Sequence, residues 1–432
     1  MSGRGLQPAS GPLDARVAIP GSKSITNRAL PVAALADGPS RLTGVLFADD
    51  TRHMLDALER LGIQVSADPP ACTVEVRGCG GHLPASEAQL YCGNSGTTIR
   101  FCTALCALGY GEYTLDGMAR MRARPIGALV QALQTLGTPV EYLEEEGYPP
   151  LCVRARGLTG GEVHFDSPPS SQMVSAVLMA APCARRDVML EVRGQLVSTP
   201  YVQMTLAVME AFGASTVDHL QSGVARYVVP APQPYRAREY AIEPDASNAS
   251  YFLAAPAVAG GQVTVEGLGT ASIQGDARFV DVLERMGCRV ERASARLTVH
   301  GPEPGRRLCG VDLDLNHMPD MVQTLAVVAL FAEGPTRVRN VANLRVKETD
   351  RLAALACELS KMGAEIDMEP EGLTVHPPAE VLPAEIETYD DHRMAMSFAL
   401  ASLRVEGMII KDPGCVSKTF PDFFERWRAL VG

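Results

Sequence analysis

The segment LERLGIQV (residues 58–65) joins the end of an amphipathic helix to a glycine and the start of a strand. It returns as LQTLGTPV (133–140), MEAFGAST (209–216), LERMGCRV (283–290) and LSKMGAEI (359–366). The glycines at 62, 137, 213, 287 and 363 are therefore 75, 76, 74 and 76 residues apart. A helix commonly ends at a left-handed glycine, which explains the glycine at each junction. Because FFERWRALVG (423–432) resembles a truncated sixth copy, the sequence predicts six related units.

A second helix is predicted at the opening of each unit, about 40 residues before the glycine, and each start is rich in residues that cap helices. Each unit then reads strand-helix-strand-helix-strand-strand, which predicts an α/β (α+β) fold. One core rarely grows beyond about 250 to 300 residues, so we expect two domains of three units, with the boundary before Glu243. The six predicted helix starts are Ser22-Lys23-Ser24, Asn94-Ser95-Gly96, Ser170-Ser171-Gln172, Asp245-Ala246-Ser247, Met318-Pro319-Asp320 and Asp391-His392-Arg393.

The composition favours small-molecule chemistry. The 432 residues carry a formal net charge of -11, which argues against binding to nucleic acid or to anionic lipid. The longest apolar runs are Met173 to Cys183 and Val322 to Ala332, well short of the roughly 20 residues that a membrane span needs. Eleven scattered cysteines without metal-ligand spacing are typical of a reducing compartment. We therefore expect a cytoplasmic protein, and a monomer.

Basic residues recur at predicted helix starts, where the helix dipole opposes a cation unless an anion lies between. Each one alone could be a solvated surface charge. Together they predict sites for anionic ligands, with Arg124 before a first-turn Pro125 and with Lys347 and Arg351 as a like-charged i, i+4 helical pair. The basic residues are Lys23, Arg28, Arg124, Lys347, Arg351, Arg393 and Lys418. Lys418 directly precedes a predicted helix start at Thr419.

Two acidic residues accompany these cations. Asp320 could be a simple helix cap and Glu348 a first-turn acid, but beside several cations both are candidates for acid–base chemistry. His392 is the one histidine within this set, and its role stays open. The histidines and acids lack metal-ligand spacing, so no metal and no cofactor is expected. Lys23 also lacks the glycines of a phosphate-binding loop, which leaves nucleotide use unsupported.

These motifs closely resemble the 5-enolpyruvylshikimate-3-phosphate synthase family over nearly the whole chain. RVKETDR and DHRMAM together are the most specific part of the resemblance. The matching segments are PGSKSITNRAL (20–30), GNSGTTIR (93–100), RPI (124–126), SSQMVSAVLMA (170–180), LVSTPYV (196–202), PDASNASYFLAA (244–255), QGDARFVDVLERMG (274–287), NHMPDM (316–321), NLRVKETDRL (343–352), DDHRMAM (390–396) and KTFPDF (418–423).

The resemblance implies a two-domain inside-out α/β barrel of six repeated units with a cleft between the domains. It also implies that the first strand, within residues 1–20, joins the C-terminal half. The expected domains are therefore residues 1–20 plus 243–432, and residues 21–242. Few positions depart from the family pattern: Phe101 replaces a common proline, Thr199 a lysine and Leu344 an aromatic residue. Gly96 is similar to the form in glyphosate-sensitive members.

The family's reaction adds the 5-hydroxyl of shikimate 3-phosphate to C2 of phosphoenolpyruvate and then expels phosphate, a step toward chorismate and the aromatic amino acids. Carried over by motif, Asp320 is the expected base, Glu348 the proton donor and Lys23 the group that aids phosphate departure. Shikimate 3-phosphate is expected on Lys23, Ser24, Arg28, Ser170, Ser171, Gln172, Ser198, Tyr201, Asp320, Asn343 and Lys347. Phosphoenolpyruvate is expected on Lys23, Gly96, Arg124, Gln172, Arg351, Arg393 and Lys418.

Three alternatives remain from the sequence. A UDP-N-acetylglucosamine enolpyruvyl transferase would share fold and donor, but that family usually has a cysteine in the loop before its Arg-Pro, and LDGMARMRARP has none. An RNA-end-processing or RNA-binding protein would need a basic face, which the acidic composition opposes. A non-enzymatic paralogue would be expected to lack Asp320, Glu348 or Lys23, and all three are present.

Overall fold

A computed structural model describes residues 3–221, 224–303 and 305–432. The chain forms two compact units. Unit 1 combines Met1–Pro20 with Glu243–Gly432, and unit 2 is Gly21–Ile242. The two units span the same residues as the two predicted domains, and the assignment of domains stays a prediction. Among the described residues, none of the helices has the length and apolar character that crossing a bilayer requires.

Unit 2 contains three four-stranded sheets with one shared pattern. In each sheet a first strand pairs parallel with a second, which pairs antiparallel with a third, which pairs antiparallel with a fourth. The first strand of the first sheet comes from the C-terminal end of the unit. In sheet order, the strands are Glu239–Ala241, Pro39–Thr43, Thr73–Arg77 and Gln64–Asp68; Glu87–Tyr91, Tyr110–Asp116, Leu151–Arg156 and Val140–Tyr142; and Gly161–Asp166, Val188–Arg193, Val224–Val229 and Val217–Gln221.

Unit 1 repeats the same pattern in two sheets, and the first takes its first strand from the N-terminal segment of the chain, as the resemblance implies. The sixth sheet differs from the predicted repeat because it has three strands, one of them supplied by Arg4–Gly5. In sheet order, the strands are Leu13–Val17, Gly261–Glu266, Arg296–His300 and Arg289–Ala293; Asp312–Asp314, Thr336–Arg339, Gly372–His376 and Glu365–Glu369; Glu385–Ile386, Ile409–Ile410 and Arg4–Gly5; and the separate pair Leu308–Cys309 and Ala332–Glu333.

Three helices form the centre of each unit. They are apolar and buried on nearly all faces, as expected for a helix that is surrounded by other elements. The strands alternate buried and exposed residues, as in Glu87–Tyr91, so one face of each sheet covers the helices. This arrangement places helices inside and sheets outside. The central helices are Lys23–Leu35, Gly96–Cys106 and Ser171–Ala180 in unit 2, and Ala246–Ala259, Val322–Ala329 and His392–Ser402 in unit 1.

The five helices predicted to end at a glycine do so, and each glycine has a left-handed φ between 84° and 111°. These helices bury one face only, as Asp49–Arg60 illustrates. They are Asp49–Arg60, Gly127–Thr135, Thr199–Ala211, Phe279–Arg285 and Arg351–Lys361, and Phe423–Val431 precedes Gly432. The remaining helices are Ala119–Arg122 and the 3-10 helices Ala181–Cys183, Gly275–Arg278, Pro319–Met321, Ala342–Val346 and Pro413–Lys418.

Candidate functional site

The predicted site residues fall into two groups, one in each unit. In unit 2 the structure brings together a group that we call the Lys23 cluster, and in unit 1 a group that we call the Asp320 cluster. The Lys23 cluster is Lys23, Arg28, Asp50, Gly96, Arg100, Arg124 and Gln172. The Asp320 cluster is Asp320, Lys347, Glu348, Arg351, Asp391, Arg393 and Lys418.

Lys23 is the first residue of a buried central helix, and Ser22 caps that helix by accepting a hydrogen bond from the Ile25 N–H at 3.4 Å. The helix dipole disfavours a cation at this end. Asp50 offsets the charge, since its Oδ2 lies 3.3 Å from Lys23 Nζ. An anion was expected beside Lys23, and one such anion is the side chain of Asp50, which the sequence motifs did not single out.

Arg28 lies one turn further along the same helix and is fully buried. Its guanidinium donates to the Thr205 hydroxyl at 2.7 Å and to the Ser24 and Tyr201 carbonyls at 2.8 Å and 3.1 Å. The Phe101 ring lies 5.3 Å from Arg28 Cζ. Burial lowers the pKa of Arg28 to about 10, because none of its partners among the described residues is a carboxylate. A bound anion would relieve this cost.

Gly96 begins the second central helix, where two guanidinium groups converge. A Cβ at Gly96 would lie 2.6 Å from Arg124 Nη2 and 2.8 Å from Arg100 Nη1, so only glycine fits without a shift of both arginines. Arg100 Nη1 donates to the Gln172 side chain at 3.0 Å, and Arg124 Nη1 donates to the Asn94 carbonyl at 3.2 Å. Within the part of the chain that the structure describes, the buried Nε of Arg124 has no acceptor.

The remaining predicted residues of unit 2 lie at two further helix starts. Ser170 caps the third central helix through a 3.3 Å hydrogen bond from the Gln172 N–H, and Ser171 is buried as its first residue. Ser198 precedes the helix Thr199–Ala211 with a left-handed φ of 58°. Tyr201, in the first turn of that helix, offers its carbonyl to Arg28 and places its ring 5.9 Å from Arg28 Cζ.

In unit 1, Asp320 accepts from three cations. Its Oδ1 receives hydrogen bonds from Lys347 Nζ at 3.3 Å and from Arg351 Nη1 at 3.1 Å. Its Oδ2 receives one from Arg393 Nη2 at 2.7 Å. The anion that lies between Lys347 and Arg351 is thus a side chain of the protein.

Two more carboxylates complete the Asp320 cluster. Asp391 grips Arg351 with both oxygens, at 2.7 Å to Nε and 3.2 Å to Nη2. Glu348 accepts from Arg351 Nη2 at 2.9 Å, and its other oxygen lies 3.7 Å from Lys418 Nζ. Burial opposes the charge on Arg351, but the nearby carboxylates outweigh burial and raise the pKa of Arg351. This arginine is a fixed cation that orients three acids.

Three local predictions were wrong. The helix after Arg124 begins at Gly127, so Pro125 is not in its first turn. Lys347 precedes the helix that Arg351 begins, and Asp350 caps that helix, so the two are not an i, i+4 helical pair. Lys418 ends the 3-10 helix Pro413–Lys418, where the dipole favours a cation.

Asn343 and His392 lie next to residues of the Asp320 cluster in the sequence. Asn343 lies in the 3-10 helix before Lys347, and its buried Oδ1 has no hydrogen-bond partner among the described residues. His392 is buried at the start of its helix, with Nδ1 3.6 Å from Asp391 Oδ1. Across residues 3–221, 224–303 and 305–432, no group of three or more His, Cys, Asp or Glu side chains is placed to hold a metal ion.

Sequence reasoning missed four residues of these clusters or their supports. Asp50, Arg100 and Asp391 are buried charges. The Tyr251 hydroxyl accepts a hydrogen bond from Arg393 Nη1 at 3.2 Å, and burial raises the pKa of Tyr251 to about 12. Arg100 and Asp391 stand inside the quoted motifs GNSGTTIR and DDHRMAM. A charged residue at or near the start of a buried central helix was the available signal for both.

Comparison with known proteins identifies similar chains. The family model for EPSP synthase (3-phosphoshikimate 1-carboxyvinyltransferase) matches residues 8–427. A 3-phosphoshikimate 1-carboxyvinyltransferase of Vibrio atlanticus is 49% identical over 98% of both chains, and one of Nostoc punctiforme is 47% identical over 97% of both. An EPSP synthase structure from Acinetobacter baumannii aligns with a TM-score of 0.79 at 25% identity, over 99% of this chain and 97% of that one.

Proposed function

The chain belongs to the EPSP synthase family, and from that premise we propose that the Lys23 and Asp320 clusters carry out the reaction of this family. The enzyme transfers the carboxyvinyl group of phosphoenolpyruvate to the 5-hydroxyl of shikimate 3-phosphate, which yields 5-enolpyruvylshikimate 3-phosphate and phosphate. This transferase reaction is a step of the shikimate pathway toward aromatic amino acids. The fold is the two-domain α/β fold of the solved EPSP synthases.

The observation that best supports the binding assignment is the burial of Arg28 and Arg124 without carboxylate partners among the described residues. A cation that is buried in this way has lost its hydration, and an anionic ligand that accepts hydrogen bonds from it compensates for that loss. We assign the phosphate of shikimate 3-phosphate to the Arg28 region. The full proposed set for this substrate is Lys23, Ser24, Arg28, Ser170, Ser171, Gln172, Ser198, Tyr201, Asp320, Asn343 and Lys347.

Phosphoenolpyruvate carries a phosphate and a carboxylate, both suited to planar guanidinium forks. We assign it to Arg124 and Gly96 in unit 2 and to Arg351 and Arg393 in unit 1, with Lys23, Gln172 and Lys418. The Nε of Arg124, which lacks an acceptor among the described residues, is a donor available to this substrate. Gly96 leaves the space between the two guanidinium groups open.

The proposed chemistry divides proton transfer between two carboxylates. Asp320 takes the proton of the attacking 5-hydroxyl, and Lys347, Arg351 and Arg393 hold its carboxylate in place for that step. Protonated Glu348 delivers its proton to the methylene carbon of phosphoenolpyruvate as the 5-oxygen bonds to C2. When the bond from C2 to the phosphate oxygen breaks, the Glu348 carboxylate takes a proton back from the new methyl group, which restores the double bond, and Lys23 neutralises the departing phosphate.

The test is release of inorganic phosphate from phosphoenolpyruvate with each acceptor supplied separately. We expect release with shikimate 3-phosphate and none with UDP-N-acetylglucosamine. Release only with the UDP-sugar would overturn the assignment.

We also propose that the protein is a cytoplasmic monomer. The eleven free cysteines support the assignment to a reducing compartment. Light scattering during size-exclusion chromatography tests the monomer against the chain mass of 46.1 kDa.

A further inference from the structure

Glu358 is a carboxylate with no exposed side-chain surface, in the helix that Arg351 begins. One of its oxygens accepts from Lys361 Nζ at 2.6 Å and from the Glu387 N–H at 3.0 Å. The other accepts from the Tyr389 hydroxyl at 2.7 Å. Two of these three donors belong to the segment 387–391. A buried carboxylate is stable only when donors satisfy it, so this contact fixes the segment to the helix.

The segment that Glu358 holds is conformationally strained. Tyr389 and Asp390 both have a φ of 54°, a left-handed conformation that residues other than glycine rarely adopt. Two such residues in succession persist only when neighbouring contacts impose them. Burial and the nearby Cys357 and Glu358 raise the pKa of Tyr389, so its hydroxyl remains a donor to Glu358. The hydroxyl therefore supplies one of the contacts that hold the backbone in place.

The strained residues lead directly into the Asp320 cluster. Asp391 follows them, caps the next central helix by accepting from the Arg393 N–H at 2.9 Å, and binds Arg351 with both oxygens. Arg351 and Glu358 lie seven residues apart on one helix, two turns along the same side. The helix thus binds the segment 387–391 at two points, through Arg351 at Asp391 and through Glu358 at Glu387 and Tyr389.

We propose that Glu358 is a positioning residue that holds segment 387–391 in its strained conformation and thereby sets Arg393 and Arg351 for phosphoenolpyruvate. This role rests on the proposed function, because it assumes that these two arginines bind that substrate. Glu358 acts only through Asp391 and makes no contact with a reacting group. Its loss should therefore weaken the use of phosphoenolpyruvate and leave binding of shikimate 3-phosphate to the free enzyme intact.

The experiment compares Glu358→Gln and Tyr389→Phe with the wild-type enzyme. We expect the KM for phosphoenolpyruvate to rise about tenfold in Glu358→Gln, because the NH2 group that replaces one carboxylate oxygen cannot accept a hydrogen bond. In Tyr389→Phe, which loses one hydrogen bond, we expect a rise of about threefold. The dissociation constant of shikimate 3-phosphate, measured by calorimetry without the second substrate, should stay within about twofold. Tyr389 is 40% exposed, so we expect Tyr389→Phe to fold, and this variant still tests the proposal if Glu358→Gln does not fold.

The matched controls are Glu365→Gln and Tyr91→Phe, which change exposed residues outside the clusters and should leave both constants unchanged. An unchanged KM for phosphoenolpyruvate in Tyr389→Phe and Glu358→Gln would overturn the positioning role. So would an equal loss of affinity for shikimate 3-phosphate, since that outcome indicates a general structural defect. A wild-type chain that releases no phosphate would overturn the proposed function and this inference with it. An active wild-type chain with unchanged variants would overturn this inference alone, so the two failures are distinguishable.

Discussion

The Lys23 cluster and the Asp320 cluster each contain four cations, but they differ in what holds those cations. In the first cluster Lys23 pairs with the Asp50 carboxylate, and Arg28, Arg100 and Arg124 contact carbonyls, hydroxyls, amides and rings. Lys347, Arg351, Arg393 and Lys418 are accompanied by Asp320, Glu348 and Asp391. Carboxylates hold the cations of the second cluster, whereas mainly neutral groups contact the arginines of the first.

The difference suggests a division of labour between the two units. A cluster with excess positive charge attracts phosphate and carboxylate groups, and its neutral partners fix geometry without competing for the charge. A cluster in which acids and bases share hydrogen bonds can move a proton between partners of fixed position. Substitution of the arginines of the Lys23 cluster should therefore affect mainly binding, and substitution of Asp320 mainly turnover.

The largest effect is expected from Asp320→Asn, which keeps the shape of the side chain and removes its basicity. We expect kcat to fall by about 10²- to 10⁴-fold, the usual contribution of a general base. Steady-state phosphate release measures it, with the exposed Asp367→Asn as the control. Wild-type kcat in Asp320→Asn would remove the proton-transfer role and leave the Asp320 cluster with binding alone.

A binding effect of the next size is expected from Arg28→Lys. Lysine keeps the charge but cannot reach the hydroxyl and the two carbonyls with a planar fork. We expect the affinity for shikimate 3-phosphate to fall about 100-fold, or roughly 2.7 kcal/mol, by calorimetry. Arg41→Lys, on an exposed strand position, is the control. Equal losses in the two variants would show that the effect is not specific to the Lys23 cluster.

Gly96→Ala should separate the two substrates. The added methyl group meets Arg124 and Arg100, so those guanidinium groups must move out of the space assigned to phosphoenolpyruvate. We expect the KM for phosphoenolpyruvate to rise about tenfold, inhibition by glyphosate to weaken, and the affinity for shikimate 3-phosphate to persist. Gly11→Ala, where nothing lies within 4 Å, is the control. Undiminished glyphosate inhibition in Gly96→Ala would contradict the assignment.

The smallest effect is expected from Phe101→Leu. The ring lies 5.3 Å from Arg28 Cζ, and a cation–π contact at this distance contributes about 0.5 to 1 kcal/mol. The affinity for shikimate 3-phosphate should fall by about two- to fivefold. Phe331→Leu removes a contact of equal length to Arg404, away from both clusters, and should leave this affinity unchanged. If the two variants behave alike, Phe101 does not support Arg28.

The fold was the most predictable part, because a glycine that ends a helix leaves a local mark that recurs every 74 to 76 residues. The ion pairs were less accessible. Arg351 and Asp391 are 40 residues apart, and nothing local to either residue specifies the other. The role of Phe101 could not be inferred either, since its position beside Arg28 arises where two central helices pack. Roles of individual site residues remain predictions for the measurements above.

The pairing of Leu13–Val17 with Gly261–Glu266 has a consequence for how the protein is made. On the ribosome Leu13–Val17 is made about 240 residues before its partner strand exists. At about 5 to 20 residues per second, that delay is roughly 10 to 50 s. All strands of unit 2 are complete by residue 242, so nascent unit 2 can assemble while the first strand keeps an open edge. Translation that stalls in this interval would leave an edge prone to aggregation.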